Sequence, residues 1–88
     1  MAFDVQFTGD AEKHYNALDA NMTRRVNRAI DQLAQNPFFG PNIAKLEGKY
    51  AEKYRYRVGS YRMVNNVDTE RQMCMITSIS RRSRAYRR

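Results

Sequence analysis

A chain of 88 residues sets one domain as the expectation, 1–88, with a thin core, because a chain this short buries only roughly 60–65% of its unfolded surface. At 42% hydrophobic and 28% charged it is composed like a folded globular domain, and 16 Lys and Arg against nine Asp and Glu leave a formal charge of +7. That balance points to a polyanionic partner, while a single cysteine (Cys74) and a single histidine (His14) exclude a disulfide framework, a cysteine metal site and clustered imidazoles.

Phe3 to Phe7 alternates apolar and polar, which predicts a short strand with one buried face. Thr8-Gly9-Asp10 offers a helix start, and Ala11, Tyr15 and Leu18 give that first helix an apolar face. Asp19-Ala20-Asn21 reads as a tight break with Asn21 as the next cap. Met22, Val26, Ala29, Ile30 and Leu33 then recur at helical spacing, with Arg24, Arg25, Arg28 and Asp31 on the outer face. Asn36-Pro37 ends this second helix, so the two helices form an antiparallel hairpin.

Phe38 to Gly48 reads as irregular, with Ile43 and Leu46 tucked into the core. Three strands follow, at Glu52–Val58, Ser60–Val67 and Met73–Ile79, joined by turns at Val58-Gly59-Ser60 and Asp68-Thr69-Glu70-Arg71. The order β-α-α-β-β-β predicts an α+β domain: an antiparallel-rich sheet with the helical hairpin on one face and the first strand beside the last. In KYRYRV, Tyr54, Tyr56 and Val58 fall on one face and Lys53, Arg55 and Arg57 on the other, the open one. The turn brings Arg62 towards them. Like charges so close repel, a cost that makes sense if an anion bridges them. The last eight residues, RRSRAYRR, add five arginines around Tyr86. No apolar run approaches the roughly 20 residues of a membrane span, and MAFDVQFTGD has no signal-peptide core, so a cytoplasmic location without membrane partners is expected.

The ordered set "YRYRVGSYRMVNNV", an apolar strand and "RRSRAY", after "FDVQFTGDAEKHYNALD" and "NPFFGPNIAKLEG", resembles the RelE branch of the RelE/ParE toxin superfamily along essentially the whole chain. The resemblance implies the RelE-like microbial RNase fold and the toxin of a type II toxin–antitoxin pair. RelE-type members enter the ribosomal A site and cleave mRNA there, whereas ParE-type members inhibit DNA gyrase and lack the terminal basic-plus-tyrosine set. Carried onto this sequence, the RelE pattern implies a catalytic set of Arg55, Arg57, Arg62, Arg82 and Tyr86. Lys53, Tyr61, Arg81 and Arg84 are the further RNA-binding candidates. Arg81 and Arg82 fit the pattern with a one-residue shift between them. The implied enzyme is an endoribonuclease with no metal and no cofactor. The implied partners are mRNA on the ribosome, a cognate antitoxin with an acidic or amphipathic segment, and operator DNA only through the antitoxin complex.

The residues themselves fit that chemistry. In RNA the 2′-OH can attack its own 3′-phosphate, expel the 5′-oxygen of the next nucleotide and leave a 2′,3′-cyclic phosphate. Planar, permanently charged guanidinium groups suit the charge that gathers on the phosphoryl oxygens. The branch often carries lysines on the first basic strand. Here both positions are arginine, which cannot act as a base at neutral pH and leaves proton transfer to Tyr86, to Lys53 or to no side chain. Tyr54 and Tyr61 read as core before base-stacking groups, His14 as a surface residue and Cys74 as core. A ParE-like gyrase inhibitor and a non-catalytic nucleic-acid-binding domain stay open as alternatives.

Overall fold

The computed structural model describes residues 2–46 and 53–81. Strand β1 (Asp4–Phe7) leads into helices α1 (Gly9–Asn16) and α2 (Ala20–Gln35), followed by strands β2 (Ile43–Lys45), β3 (Lys53–Val58), β4 (Tyr61–Asp68) and β5 (Met73–Arg81). The five strands form one sheet in the order β1-β5-β4-β3-β2. β1 runs parallel to β5 and every other pair is antiparallel. The expected α+β layout is therefore the observed one, with β1 beside the last strand.

Two local expectations change. Asp19, not Asn21, caps α2: its carboxylate accepts the Met22 N–H at 2.8 Å, so the helix begins one residue before Asn21 and the break shortens. The stretch read as irregular contains β2. Its three residues are too few to carry a strand signal alone, and they extend because their backbone pairs with Tyr54–Tyr56 of β3. Thr8 caps α1 as its sequence implies, accepting the Ala11 N–H, and the chain leaves α2 through extended Asn36 ahead of Pro37.

The helices cover one face of the sheet. Ala11 of α1 and Val26, Ala29 and Leu33 of α2 bury against Tyr56, Val58, Met63, Val67, Cys74, Ile76 and Ile79. Hydrogen bonds set the helices in place, from Tyr15 Oη to Asn27 Oδ1 (2.6 Å) between them and from Tyr56 Oη to Gln32 Oε1 (2.6 Å) onto β3. Ile76 and Ile79 are three apart yet both point inward, which plain alternation forbids. A β-bulge explains it. Val64 stands opposite Ser78 and the next residue, Asn65, opposite Ile76, so Thr77 is the extra residue of β5. The Thr77 hydroxyl donates to the Val64 carbonyl (3.1 Å), and the Thr8 hydroxyl donates to the Thr77 carbonyl (3.3 Å). No helix among the described residues is long and apolar enough to cross a membrane.

Candidate nucleic-acid interface

The uncovered face of the sheet carries the basic strand. Tyr56 and Val58 are buried under the helices, so Lys53, Arg55 and Arg57 emerge on the opposite side of β3. The β3–β4 turn is two residues long, Gly59-Ser60, between the paired Val58 and Tyr61. Gly59 takes φ +58, the left-handed conformation such a turn favours in a glycine.

The tight turn fixes the register. Arg57 stands directly opposite Arg62, Arg55 opposite Val64 and Lys53 opposite Asn66. The Arg57 N–H turns away from β4, donating to the Asn42 carbonyl at 2.9 Å, so Arg57 and Arg62 form a pair without mutual backbone bonds. In such pairs the Cα atoms approach to about 4.5 Å and the side chains are at their closest. Two guanidinium stems thus rise side by side from adjacent strands. Arg62 is half-buried with its Nε withdrawn from solvent, Arg55 and Lys53 are also half-buried, and Arg57 is exposed. Ser80 lies opposite Arg62 on the far side of β4, and Ser78 opposite Val64, so two hydroxyl-bearing residues border the arginines. At the other end of the open face Asn66, Asp68, Met73 and Met75 line a shallow cavity of about 290 Å³.

The remaining candidates divide. Tyr61 and Arg81 stand opposite each other on the helix side of the sheet, with the Arg81 guanidinium carbon 5.5 Å from the Tyr61 ring centroid. Both are therefore on the face away from Arg62, and the cause is the bulge. Plain alternation from Ile76 through Thr77, with no bulge, would bring Arg81 out on the open face. Tyr54 belongs to the core layer, its ring edge-on to Phe38. Arg82, Arg84 and Tyr86 lie outside the described residues. His14 accepts the Ile79 N–H on Nδ1 (3.2 Å), which makes it a fastening of α1 to β5 just past the end of β1. Burial pushes the Cys74 thiol up to about 11, so at neutral pH it is a protonated core group. Among the described residues no three His, Cys, Asp or Glu side chains gather to hold a metal.

The sequence reading passed over Ser78 and Ser80, whose placement depends on the bulge. The signal for it was the three-residue spacing of Ile76 and Ile79.

A model of the family described as "ParE toxin of type II toxin-antitoxin system, parDE" matches residues 5–86. The chain belongs to this toxin family. Solved structures agree. The RelE of the archaeal RelE–RelB complex from Pyrococcus horikoshii OT3 is 27% identical, with 96% of this chain and 99% of that chain covered at a TM-score of 0.80. The isolated RelE toxin of E. coli (21% identity, 91% and 84% covered, TM-score 0.80) and a YoeB/ParE toxin from Agrobacterium tumefaciens (21%, 90% and 98%, 0.78) share the fold. No functionally curated protein matches the chain at a comparable level. The expected membership of the RelE/ParE toxin superfamily and its α+β fold are thus established.

Proposed function

We propose that this toxin is a ribosome-dependent endoribonuclease that acts in the cytoplasm, cleaving mRNA in the A site and so halting translation. The observation that carries the reading is the pairing of Arg57 with Arg62 on the open face, with Arg55 one row along the same side of β3. Two like charges directly opposite each other destabilise a sheet, and an anion between them reverses the sign. A phosphodiester is an anion of the right size and geometry for two guanidinium forks.

In the proposed reaction the 2′-OH of one nucleotide attacks its adjacent phosphorus while the bond to the 5′-oxygen of the next nucleotide breaks. The products are a 2′,3′-cyclic phosphate and a 5′-hydroxyl. Arg62 and Arg82 hold the scissile phosphate, and Arg55 and Arg57 clamp the backbone and offset the charge that grows on its oxygens. Tyr86 stacks on a base or exchanges a proton with the 2′-OH, and Lys53 is the alternative group for that proton. Lys53 and Arg84 contribute further RNA contacts, while Tyr61 and Arg81, on the helix side of the sheet, stand apart from the scissile phosphate. With arginines in place of a tunable base, most of the rate comes from positioning, which the ribosome supplies by aligning the mRNA. The partner that restrains the toxin is a cognate antitoxin with an acidic or amphipathic segment. This agrees with the RelE–RelB and YoeB–YefM complexes of its structural relatives. The pair reaches operator DNA through the antitoxin.

Inducing the protein in bacteria and mapping mRNA 5′ ends tests the reading: codon-phased cuts within translated frames are expected. A second reading, a ParE-like gyrase inhibitor, is favoured by the family whose model matches. A supercoiling assay with purified gyrase separates the two. Inhibition at stoichiometric toxin, with mRNA intact, would favour the second.

A further inference from the structure

Arg25, Arg28, Ala29 and Gln32 recur at i, i+3, i+4 and i+7 and share one stripe of α2. Arg25, Arg28 and Gln32 are exposed, as the sequence pattern implies for the two arginines, but the stripe does more than meet solvent. It forms one wall of a cleft of about 280 Å³ whose other wall is Asn42, Tyr56, Arg57, Val58 and Gly59. A Cβ placed on Gly59 would lie 2.9 Å from both Nη atoms of Arg25 and 3.1 Å from its Cζ. The Nη edge of the Arg25 guanidinium therefore lies close against the turn. Gly59 therefore serves twice, once for its positive φ and once because any side chain would displace Arg25.

The cleft is electrostatically one-sided. Three arginines from two elements line it and no acidic residue does. Among the described residues no hydrogen bond or ion pair engages the side chains of Arg25, Arg28 or Arg57. Ala29 keeps the floor low, and the Tyr56–Gln32 hydrogen bond closes it. The cleft also adjoins the open face. β2 pairs with β3 only as far as Tyr56, and at Arg57 the β3 edge is held by the Asn42 carbonyl of the segment before β2, itself part of the cleft lining. Arg57 both lines the cleft and stands opposite Arg62.

We propose that this cleft is a second phosphodiester-binding site, which takes the backbone of the same RNA strand as it passes from the Arg57–Arg62 pair around the β3 edge to α2. The proposal rests on the RNA-cleaving reading above. A nucleic-acid backbone fits better than an acidic protein segment, because such a segment needs apolar anchors to fold onto a surface. The one large hydrophobic side chain that is strongly exposed among the described residues, Phe39, is not part of the lining.

The test is the salt dependence of binding of the full chain to a single-stranded RNA oligomer with 2′-O-methyl groups, which it cannot cleave. Each phosphate contact to a single strand contributes about 0.7 to the slope of log K against log salt. Arg25→Gln and Arg28→Gln should each lower the slope by about that amount and weaken binding several-fold at low salt. Arg24→Gln, an equal charge change on the same helix but outside the cleft, should leave the slope nearly unchanged. Circular dichroism checks that all three fold. Slopes for Arg25→Gln and Arg28→Gln that match Arg24→Gln, with wild type binding RNA and cutting mRNA, would overturn the cleft alone. Loss of antitoxin capture with RNA slopes intact would overturn it in favour of a protein site. Absence of RNA binding and of mRNA cleavage in the wild type would remove the nuclease reading, and the cleft with it.

Discussion

Three residues of the sheet are under competing demands. Arg57 faces a like charge, and its exposed side chain buries little to offset that cost. Replacing it with threonine, a good strand former, should raise stability by about 0.5 kcal/mol in urea melts while lowering mRNA cleavage. That is the expected trade where a charge is kept for its ligand. Asn65 is fully buried on the helix side of β4, and neither its Oδ1 nor its Nδ2 has a hydrogen-bond partner. Replacing an unsatisfied amide with an apolar group of similar shape removes a desolvation cost, so Asn65→Leu should stabilise the domain by about 1–2 kcal/mol. Cys74 fixes an alkaline limit. Its folded pKa is raised from about 9 to about 11 by burial, so the folded chain holds the proton longer than the unfolded one. The contribution is complete below pH 9 and lost as pH rises towards 11. Melting temperatures across that window should fall less steeply for Cys74→Val than for the wild type.

At the scale of elements, the faces of β3 were legible and those of β5, a strand the sequence also predicts, were not, for one reason. Nothing interrupts the alternation of Lys53 to Val58, so a period of two assigns each side chain to its face. In β5 the extra Thr77 shifts the phase, and the shift is held by a hydroxyl of α1 that no local pattern announces. Arg81 consequently stands against Tyr61, away from Arg62. Arg81→Ala should therefore reduce mRNA cleavage far less than Arg62→Ala, by about tenfold or less, read from cut abundance at matched expression. β2 was invisible because its three residues extend only through their pairing with β3, and the α2 cap was misplaced because Asp19 and Asn21 are both good cap residues. Thr8 joins the two scales, since it caps α1 and reaches the bulge. Thr8→Ala should cost about 1–2 kcal/mol, towards the upper end of a lost N-cap.

For the molecule as a whole, patterning gave the layers. A sheet covered on one side by a helical hairpin leaves its other side for a ligand, and the basic strand is on that side. What a linear pattern could not convey is that the basic surface turns a corner. Arg25 and Arg28 are exposed helix residues, and only the packing of α2 beside the β3–β4 turn puts them on the same cleft as Arg57. The central claim is that the arginines of the open face cut RNA on the ribosome. The most direct measurement compares transcriptome-wide mRNA 5′ ends after brief induction of the wild type and of Arg62→Ala. The expected result is codon-phased cuts within translated frames for the wild type and their loss, together with growth arrest, in the variant, with both proteins folded. Growth arrest with no such cuts, or cuts that persist undiminished in Arg62→Ala, would contradict it.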